Sequence, residues 1–570
     1  MVILGVSGYY HDSAAALLVD GEVKAAAQEE RFTRIKHDLS FPQNSIKFCL
    51  EKAAITPAQL DAVVFFEKPL RKLERVFHSI FREAPFSCSL FLEASYNWLK
   101  EKLWIREKLM EFLSGVSREK IFFIPHHLSH AASTFFCSPF EEAAILTVDG
   151  VGEWATASIS VGKGDDIKVL RELYFPNSLG LLYSTFTNFL GFQVNEENKV
   201  MGLAAYGQPR FLEEIRTIAH LHDDGSLSLD LSYFSFLRSK KRLYSSRFLE
   251  LFGEPRSFGK PWLLHGDRLA SEDQIYADLA ASIQKFTEEA MLKMAVEAYR
   301  LTNTTNLCLA GGVAFNCVAN SHLFKKSPFK KIYIQPAAGD AGGALGAALY
   351  FARRQGEGKF VLKHAFLGEA YGEEDIEKAV SGYDFKRLHP EKLLRKVASD
   401  IVLGKVVGWF QGRFEWGPRA LGHRSLLARP DSLKLKDFLN REVKEREPFR
   451  PFAPSVLAEE APNFFELNKT QDSFPLRFML MTLSCYKPEH FKGALQIDKT
   501  ARLQIVETRD SPLYYALIKE VASLVGIPAV LNTSLNKRGE PIVNHPSQAL
   551  NFFRQRPLDV LVLNNYYLSK

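Results

Sequence analysis

The sequence predicts an α/β protein with a duplicated core and a separate second domain. Three observations support this. A strand–turn–strand–turn–strand pattern occurs at the start and again from Ala143. Two further short apolar strands, Asn306–Ala310 and Lys331–Ile334, each run through a small-residue turn into helical sequence. A polar, glycine-rich stretch at 352–372 then interrupts the pattern.

The first copy reads as Val2–Ser7, a turn from Gly8 to Ser13, Ala14–Val19, an Asp20-Gly21 turn and Glu22–Gln28. The second has the strand Ala144–Asp149, the turn GVGEW, ATASISVG, a Lys163–Asp166 turn and IKVLREL. Two such units, each followed by helical sequence, suggest halves with a cleft between them. By analogy this is how actin, the sugar kinases and the heat-shock chaperone ATPases are built. Between the copies, Arg71–Leu113 is helical in pattern and rich in aromatics, among them Phe77, Phe81, Phe91, Tyr96, Trp98 and Trp104. It reads as core with a packing face, or as a lid or dimer face. RSKKRLYSSR, Arg238–Arg247, reads as a solvated basic surface, with substrate recruitment as the other reading.

The densest chemistry of the first part is IPHHLSHAA at 124–132. His126 and His130 are four residues apart, which on a helix places both imidazoles on one face, where they can share a metal. Asp149 lies where a strand enters a glycine turn. Two imidazoles and a carboxylate suit iron or zinc better than calcium or magnesium. Asp273–Thr302 is a long amphipathic helix that leads into Asn306–Ala310. There Gly311 and Gly312 let backbone approach a nucleotide. Asp340 sits in a small-residue turn before a helix. It is a fourth metal ligand, a ribose or phosphate contact, or an N-cap.

The region after 372 is long enough for a domain of its own. In Gly408–Pro430, Arg413, Arg419, Arg424 and Arg429 recur beside Gly412, Gly417 and Gly422. Guanidiniums next to tight turns suit a phosphate or carbamate-like anion. The other reading is structural pairing with Glu415, Glu442, Glu445 and Glu447.

The chain has 570 residues, 46% hydrophobic and 24% charged, with a formal net charge of +6. That is an ordinary globular balance for two or three domains. The charge is too mild to call for nucleic acid. The six cysteines contain no C-x-x-C pair and read as reduced thiols. No signal peptide and no bilayer-spanning apolar run are recognised, so a soluble cytoplasmic protein without a membrane partner is expected.

Together these motifs resemble the O-carbamoyltransferases of the nodulation and antibiotic-biosynthesis type. The resemblance is carried by GVSGYYHDSAAALL, QEERFTRIKHDLSFP, HHLSHAAS, TVDGVGEW, NKVMGLAAYG, AGGVAFN, AAGDAGGALG, GRFEWGPRALGHRSLLA, VKEREPFRPFAPSV and LNTSLNKRGEPIV. It implies a duplicated actin-like (ASKHA-type) domain over 1–360 and an α+β domain similar to YrdC over 361–570. It further implies metal ligands His126, His130, Asp149 and Asp340, with Fe(II) expected although another divalent metal would suit the set. Nucleotide contacts are implied at Gly150, Lys199, Gly202, Gly311, Gly312, Asn316 and the Asp340 turn. His11 is implied as the acid/base or acceptor-side residue. In the second domain Arg419, Lys444, Arg450, Asn532 and, more weakly, Arg502 match anion and nucleotide motifs, with Arg419 and Lys444 catalytic.

The implied reaction joins carbamoyl phosphate and ATP, with Mg2+, into carbamoyl adenylate. The carbamoyl group is then transferred to a hydroxyl of a small molecule, such as a sugar or secondary metabolite. Residues 210–270 match none of the motifs and are where acceptor recognition is expected to vary. The length is compatible with a homodimer. Two other readings are a fused tRNA threonylcarbamoyl enzyme, for which no basic stripe is evident, and a non-catalytic actin-like ATP-binding regulator.

Overall fold

The computed structural model describes residues 1–85, 87–467 and 474–570. It divides into two compact units. The first comprises Met1–Lys24 and Leu39–Val361, and the second Ala25–Asp38 and Leu362–Lys570.

The first unit carries the duplication. Strands β1 (Val2–Ser7), β2 (Ala14–Val19), β3 (Glu22–Gln28), β4 (Ala62–Phe65) and β5 (Ile121–Phe123) form a sheet ordered β3-β2-β1-β4-β5. β1 runs antiparallel to β2 and parallel to β4, which is parallel to β5. The second sheet repeats this plan. Strands β6 (Glu142–Val148), β7 (Ala155–Lys163) and β8 (Asp166–Tyr174) form an antiparallel meander, and Asn306–Ala310 and then Lys331–Ile334 add in parallel on the other side of β6. The shared order makes the turn after β1, which holds His11, the counterpart of the turn after β6, which holds Asp149. The first of these turns contains two non-glycine residues with left-handed backbone, Tyr9 (φ 65°) and Asp12 (φ 43°). Such conformations persist where surrounding structure imposes them.

Helix packing converges the site. The helix Asp340–Arg354 begins DAGGALGAAL, and its small residues let it lie close to its neighbours. A Cβ on Gly346 would stand 1.9 Å from the Ser129 carbonyl oxygen of the helix His126–Phe135. Only glycine fits there, and the N-terminal ends of both helices meet. The strand after the 29-residue helix Gln274–Thr302, Asn306–Ala310, is followed by Gly311 with φ +90°.

The second unit is built on an eight-stranded mixed sheet. In order its strands are Lys386–Arg387, Tyr566–Ser569, Val560–Leu563, Val407–Phe410, Arg424–Ala428, Ala529–Ser534, Ala453–Leu457 and Gln504–Val506. Apolar residues of the helices Pro390–Val402 and Pro512–Val525 cover one face. Those of Glu373–Val380 and Pro546–Gln555 cover the other. The N-terminal segment 25–38 is tied into this unit. Arg31 donates to the Gly417 carbonyl at 2.6 Å, and Arg34 donates to the carbonyls of Pro541 and Ile542, each at 2.6 Å.

The segment 71–113 is helical as expected, in Pro69–Arg82, Cys88–Lys100 and Ile105–Phe112, with position 86 outside the described residues. Among the described residues no helix is long and apolar enough to cross a membrane.

Candidate functional site

Four side chains converge in the first unit. His126 opens its helix and His130 lies one turn on, so both project Nε2 the same way. Asp149 follows β6, and Asp340 is the first residue of its helix. The His126 and His130 Nε2 atoms are 3.0 Å apart. Asp149 Oδ2 is 3.0 Å from the first and 3.5 Å from the second. Asp340 Oδ1 is 3.6 and 3.4 Å from them. All four donor atoms lie within 4.8 Å of one another and all four residues are buried. Two ring nitrogens aimed at each other and at two carboxylates, with nothing but donor atoms between them, fit a divalent metal. The buried Asp340 Oδ2 atom, with no hydrogen-bond partner, is consistent with that fit.

The surroundings hold these ligands in place. Glu153 accepts hydrogen bonds from the backbone N–H of His126 (3.0 and 3.1 Å) and of Lys68 (2.8 Å). Buried Glu67 pairs with buried Lys72 at 2.6 Å, and its Oε2 stands 3.8 Å from His126 Nδ1, which has no hydrogen-bond partner. A carboxylate behind a ligating imidazole fixes its tautomer and direction. The Gly312 N–H donates to Asp149 Oδ1 at 3.1 Å. The neighbouring His127 is buried with Nδ1 3.1 Å from Ser158 Oγ, and burial with the nearby His126 pushes it down to about 3, so it stays neutral.

Burial alone would lower His130, but hydrogen bonds and charge from Asp149 and Asp340 outweigh it and raise it to about 9. Burial would raise Asp149, but both histidines hold it well below its ordinary value. In the metal-free protein, the stability from His130 is therefore full below its ordinary value of 6.5 and is lost as pH rises through about 9. A metal must displace that proton. Apparent metal affinity is predicted to climb by about tenfold per pH unit for each proton released, and to level off near pH 9. Metal titrations at pH 6, 7, 8 and 9 check this. A flat profile would mean that His130 is not a ligand.

The other predicted residues of this unit are placed as follows. His11 Nδ1 is 3.5 Å from Asn195 Nδ2, and its ring is 4.3 Å from that of Tyr10, which in turn meets the His126 ring edge-on at 6.4 Å. A Cβ on Gly150 would meet nothing within 4 Å, and one on Gly311 would strike the Val148 carbonyl oxygen at 2.2 Å. Lys199 is buried and pairs with Glu196 at 2.5 Å. Gly202 is buried in the helix Glu197–Ala204. Asn316 caps the helix Cys317–Lys326 and exchanges hydrogen bonds with Gln284 at 2.9 and 3.1 Å. Gly311 and Gly312 thus border the metal-ligand cluster, whereas Lys199 and Asn316 are engaged within the protein.

In the second unit the recurring arginines separate. Arg424 is fully buried, donates to the carbonyls of Gln411 (2.5 Å) and Gly412 (3.0 Å), and lies 3.6 Å over the Phe410 ring. Arg413 donates to the carbonyls of Leu367 and Gly368, and Arg429 pairs with Asp431 at 2.7 Å. These three are structural, but most of their partners are backbone carbonyls rather than the glutamates expected.

Lys444 is buried and donates to the Ser534 carbonyl (2.6 Å), the Asn536 carbonyl (2.7 Å) and Asn536 Oδ1 (2.7 Å). Burial, then Arg446, Arg450 and Lys36, hold it well below its ordinary value. Arg446, half-buried and bonded to Asn440 Oδ1 at 2.7 Å, is lowered by desolvation and by Arg450 and Arg502. Lys36, Lys444, Arg446, Arg450 and Arg502 thus concentrate positive charge, with Glu447 3.7 Å from Arg450. Arg419 lies on the half-buried loop before Arg424–Ala428. Asn532 instead ties strands together, donating to Ala420, Ser455 and Gln504.

Sequence reasoning missed Glu67, Lys72, Glu153 and Lys36. A signal for Lys36 was present in the motif QEERFTRIKHDLSFP, to which no role was given. The basic stretch 238–247 is partly paired, Arg238 with Glu83 at 2.7 Å and Lys240 with Glu93 at 2.8 Å, which leaves less free charge for RNA.

Comparison with known proteins adds a second line. The family model described as "Carbamoyltransferase N-terminus" matches residues 2–349, and "Carbamoyltransferase C-terminus" matches 398–570. An uncharacterized protein of Synechocystis is 41% identical over all of this chain and 96% of its own length. Nodulation protein NolNO of Sinorhizobium fredii is 36% identical over 99% of this chain and 79% of its own. The 3'-hydroxymethylcephem-O-carbamoyltransferase of Amycolatopsis lactamdurans is 25% identical over 79% of this chain and 81% of its own.

Proposed function

We propose, from the premise that this chain belongs to the carbamoyltransferase family and is an enzyme of that family, that it carbamoylates a hydroxyl of a small molecule in two steps at two sites. The observation that carries this reading is the pairing of a buried two-histidine, two-aspartate cluster in one unit with a cationic set around buried Lys444 in the other. Residues 1–360 would provide transfer, and residues 361–570 activation.

In activation, water cleaves carbamoyl phosphate to carbamate and phosphate, and a carbamate oxygen attacks the α-phosphorus of Mg2+-bound ATP to give carbamoyl adenylate, with pyrophosphate leaving. Lys444 and Arg419, with Arg450 and Arg502, meet the phosphate charge as it develops. An anion beside Lys444 favours its charged form, opposing the burial that lowers it. In transfer, His126, His130, Asp149 and Asp340 hold a divalent metal, proposed as Fe(II). Once bound, that metal supplies a Lewis acid that polarises a carbonyl. The Gly311-Gly312 turn and Gly150 give the nucleotide backbone close to this cluster. His11 accepts the proton of the attacking hydroxyl, and AMP leaves. The adenylate is a reactive carbamoyl donor that water hydrolyses, so it must stay enclosed.

The test is ATP–pyrophosphate exchange with and without carbamoyl phosphate, with mass detection of carbamoyl adenylate. Exchange that depends on carbamoyl phosphate is expected. Its absence from folded protein supplied with ferrous iron would overturn the activation half.

A further inference from the structure

The helix Pro69–Arg82 sits in the first unit with part of its charge turned inward. Leu70 and Phe81 are 72% and 65% exposed, whereas Lys72 and Arg75, three residues apart, are buried. Lys72 is answered by Glu67. Arg75 is not. Among the described residues no carboxylate lies within ion-pair distance of its guanidinium, and its buried Nε has no hydrogen-bond partner. Glu67 and Glu153 are near enough to act on its charge but are engaged elsewhere, by Lys72 and by the backbone N–H groups of Lys68 and His126. The guanidinium instead lies 4.9 Å over the Phe175 ring. A buried guanidinium without a counter-charge is costly, and nothing in the fold of this helix requires it.

Its position relates it to the metal-ligand cluster. The Tyr10 ring lies 3.8 Å from Lys72 Nζ on one side and edge-on to His126 on the other. Tyr10 is also within electrostatic reach of Asp149, Asp340 and Arg75. Two aspartates neutralise a divalent ion, so an anionic substrate arriving there finds no net positive charge from the cluster. Arg75 supplies it.

We propose that Arg75 is the binding residue for an oxyanion of the substrates, a phosphate or carboxylate, that enters the transfer site. The inference rests on the reading that transfer occurs at the four-residue cluster. A guanidinium presents parallel N–H groups to two oxygens of such a group. The oxyanion comes either with the nucleotide or as an acid group on the acceptor.

Full-length protein carrying Arg419→Ala, to silence the second unit, is titrated calorimetrically with and without Arg75→Met. The probes are AMP against adenosine, and glucuronate against glucose. The expected result is an affinity for one of the anions weakened by about tenfold or more, with its neutral counterpart unchanged. Loss for AMP assigns the nucleotide phosphate, and loss for glucuronate an acceptor acid. Ligand-free Arg75→Met should be at least as thermostable as its parent, because an unanswered charge has gone. Arg75→Lys keeps the charge without the fork and should give a smaller loss. It also serves if methionine is not tolerated. Equal affinity of parent and variants for both anions, or no binding of either anion by the parent, overturns the proposal. Failure of the transferase reading is separate and shows as wild-type protein that forms no carbamoylated product.

Discussion

His130→Ala is expected to abolish carbamoyl transfer and to leave carbamoyl-phosphate-dependent pyrophosphate release intact. His130 Nε2 faces His126 Nε2 at 3.0 Å and both aspartates at 3.4–3.5 Å, so its removal takes one of four donors. It also removes one of the two histidines that hold Asp149 ionised in the metal-free protein, leaving two buried carboxylates beside one imidazole. Loss of an outer-shell partner alone typically costs about 10–100-fold in metal affinity or activity. Loss of a ligand should exceed that, so transfer should fall by more than about a hundredfold. Bound metal per protein, transfer from supplied carbamoyl adenylate and pyrophosphate release together check this. If release falls in parallel with transfer, the two chemistries share a site and the assignment fails.

Arg419→Ala is expected to do the reverse. Of the other arginines in Gly408–Pro430, Arg413 and Arg424 bond mainly to carbonyls and Arg429 to Asp431. Arg419, half-buried on the loop before Arg424–Ala428, is the one proposed to meet a substrate phosphate. Removing one preorganised donor of this kind costs about 10²–10³ in turnover. Pyrophosphate exchange should fall by that much, while transfer from supplied carbamoyl adenylate continues at the wild-type rate. Arg424→Ala is the informative contrast, because it removes a buried guanidinium that packs on Phe410 and should fail through instability instead. A variant at 419 that loses transfer as well would place it outside the activation site.

Much of this was legible before the structure. The strands Val2–Ser7, Ala14–Val19, Glu22–Gln28, Asn306–Ala310 and Lys331–Ile334 fall where apolar runs end in glycine or polar turns. His126, His130 and Asp149 were readable because helical spacing and a strand-end turn are local patterns. Asp340 had three readings, and only packing at Gly346 selects among them by bringing its helix end to His126 and His130. The arginines of 408–430 could not be sorted from sequence, since the carbonyls that hold Arg413 and Arg424 come from residues that only folding brings near. Lys72 and Arg75 were hidden for the opposite reason. Their helix looks amphipathic, and that pattern alone would turn its cations toward water.

The membership of residues 25–38 in the second unit has a consequence for how the protein can be divided or inherited. A gene cut after codon 360 would leave the downstream product without Arg31 and Arg34, whose guanidiniums hold the Gly417, Pro541 and Ile542 carbonyls. It would also lack Lys36, part of the charge around Lys444. The downstream half is not a cassette that recombination could lift out by a single break and drop into another chain. The two chemistries are therefore expected to travel through evolution together, and to be lost together.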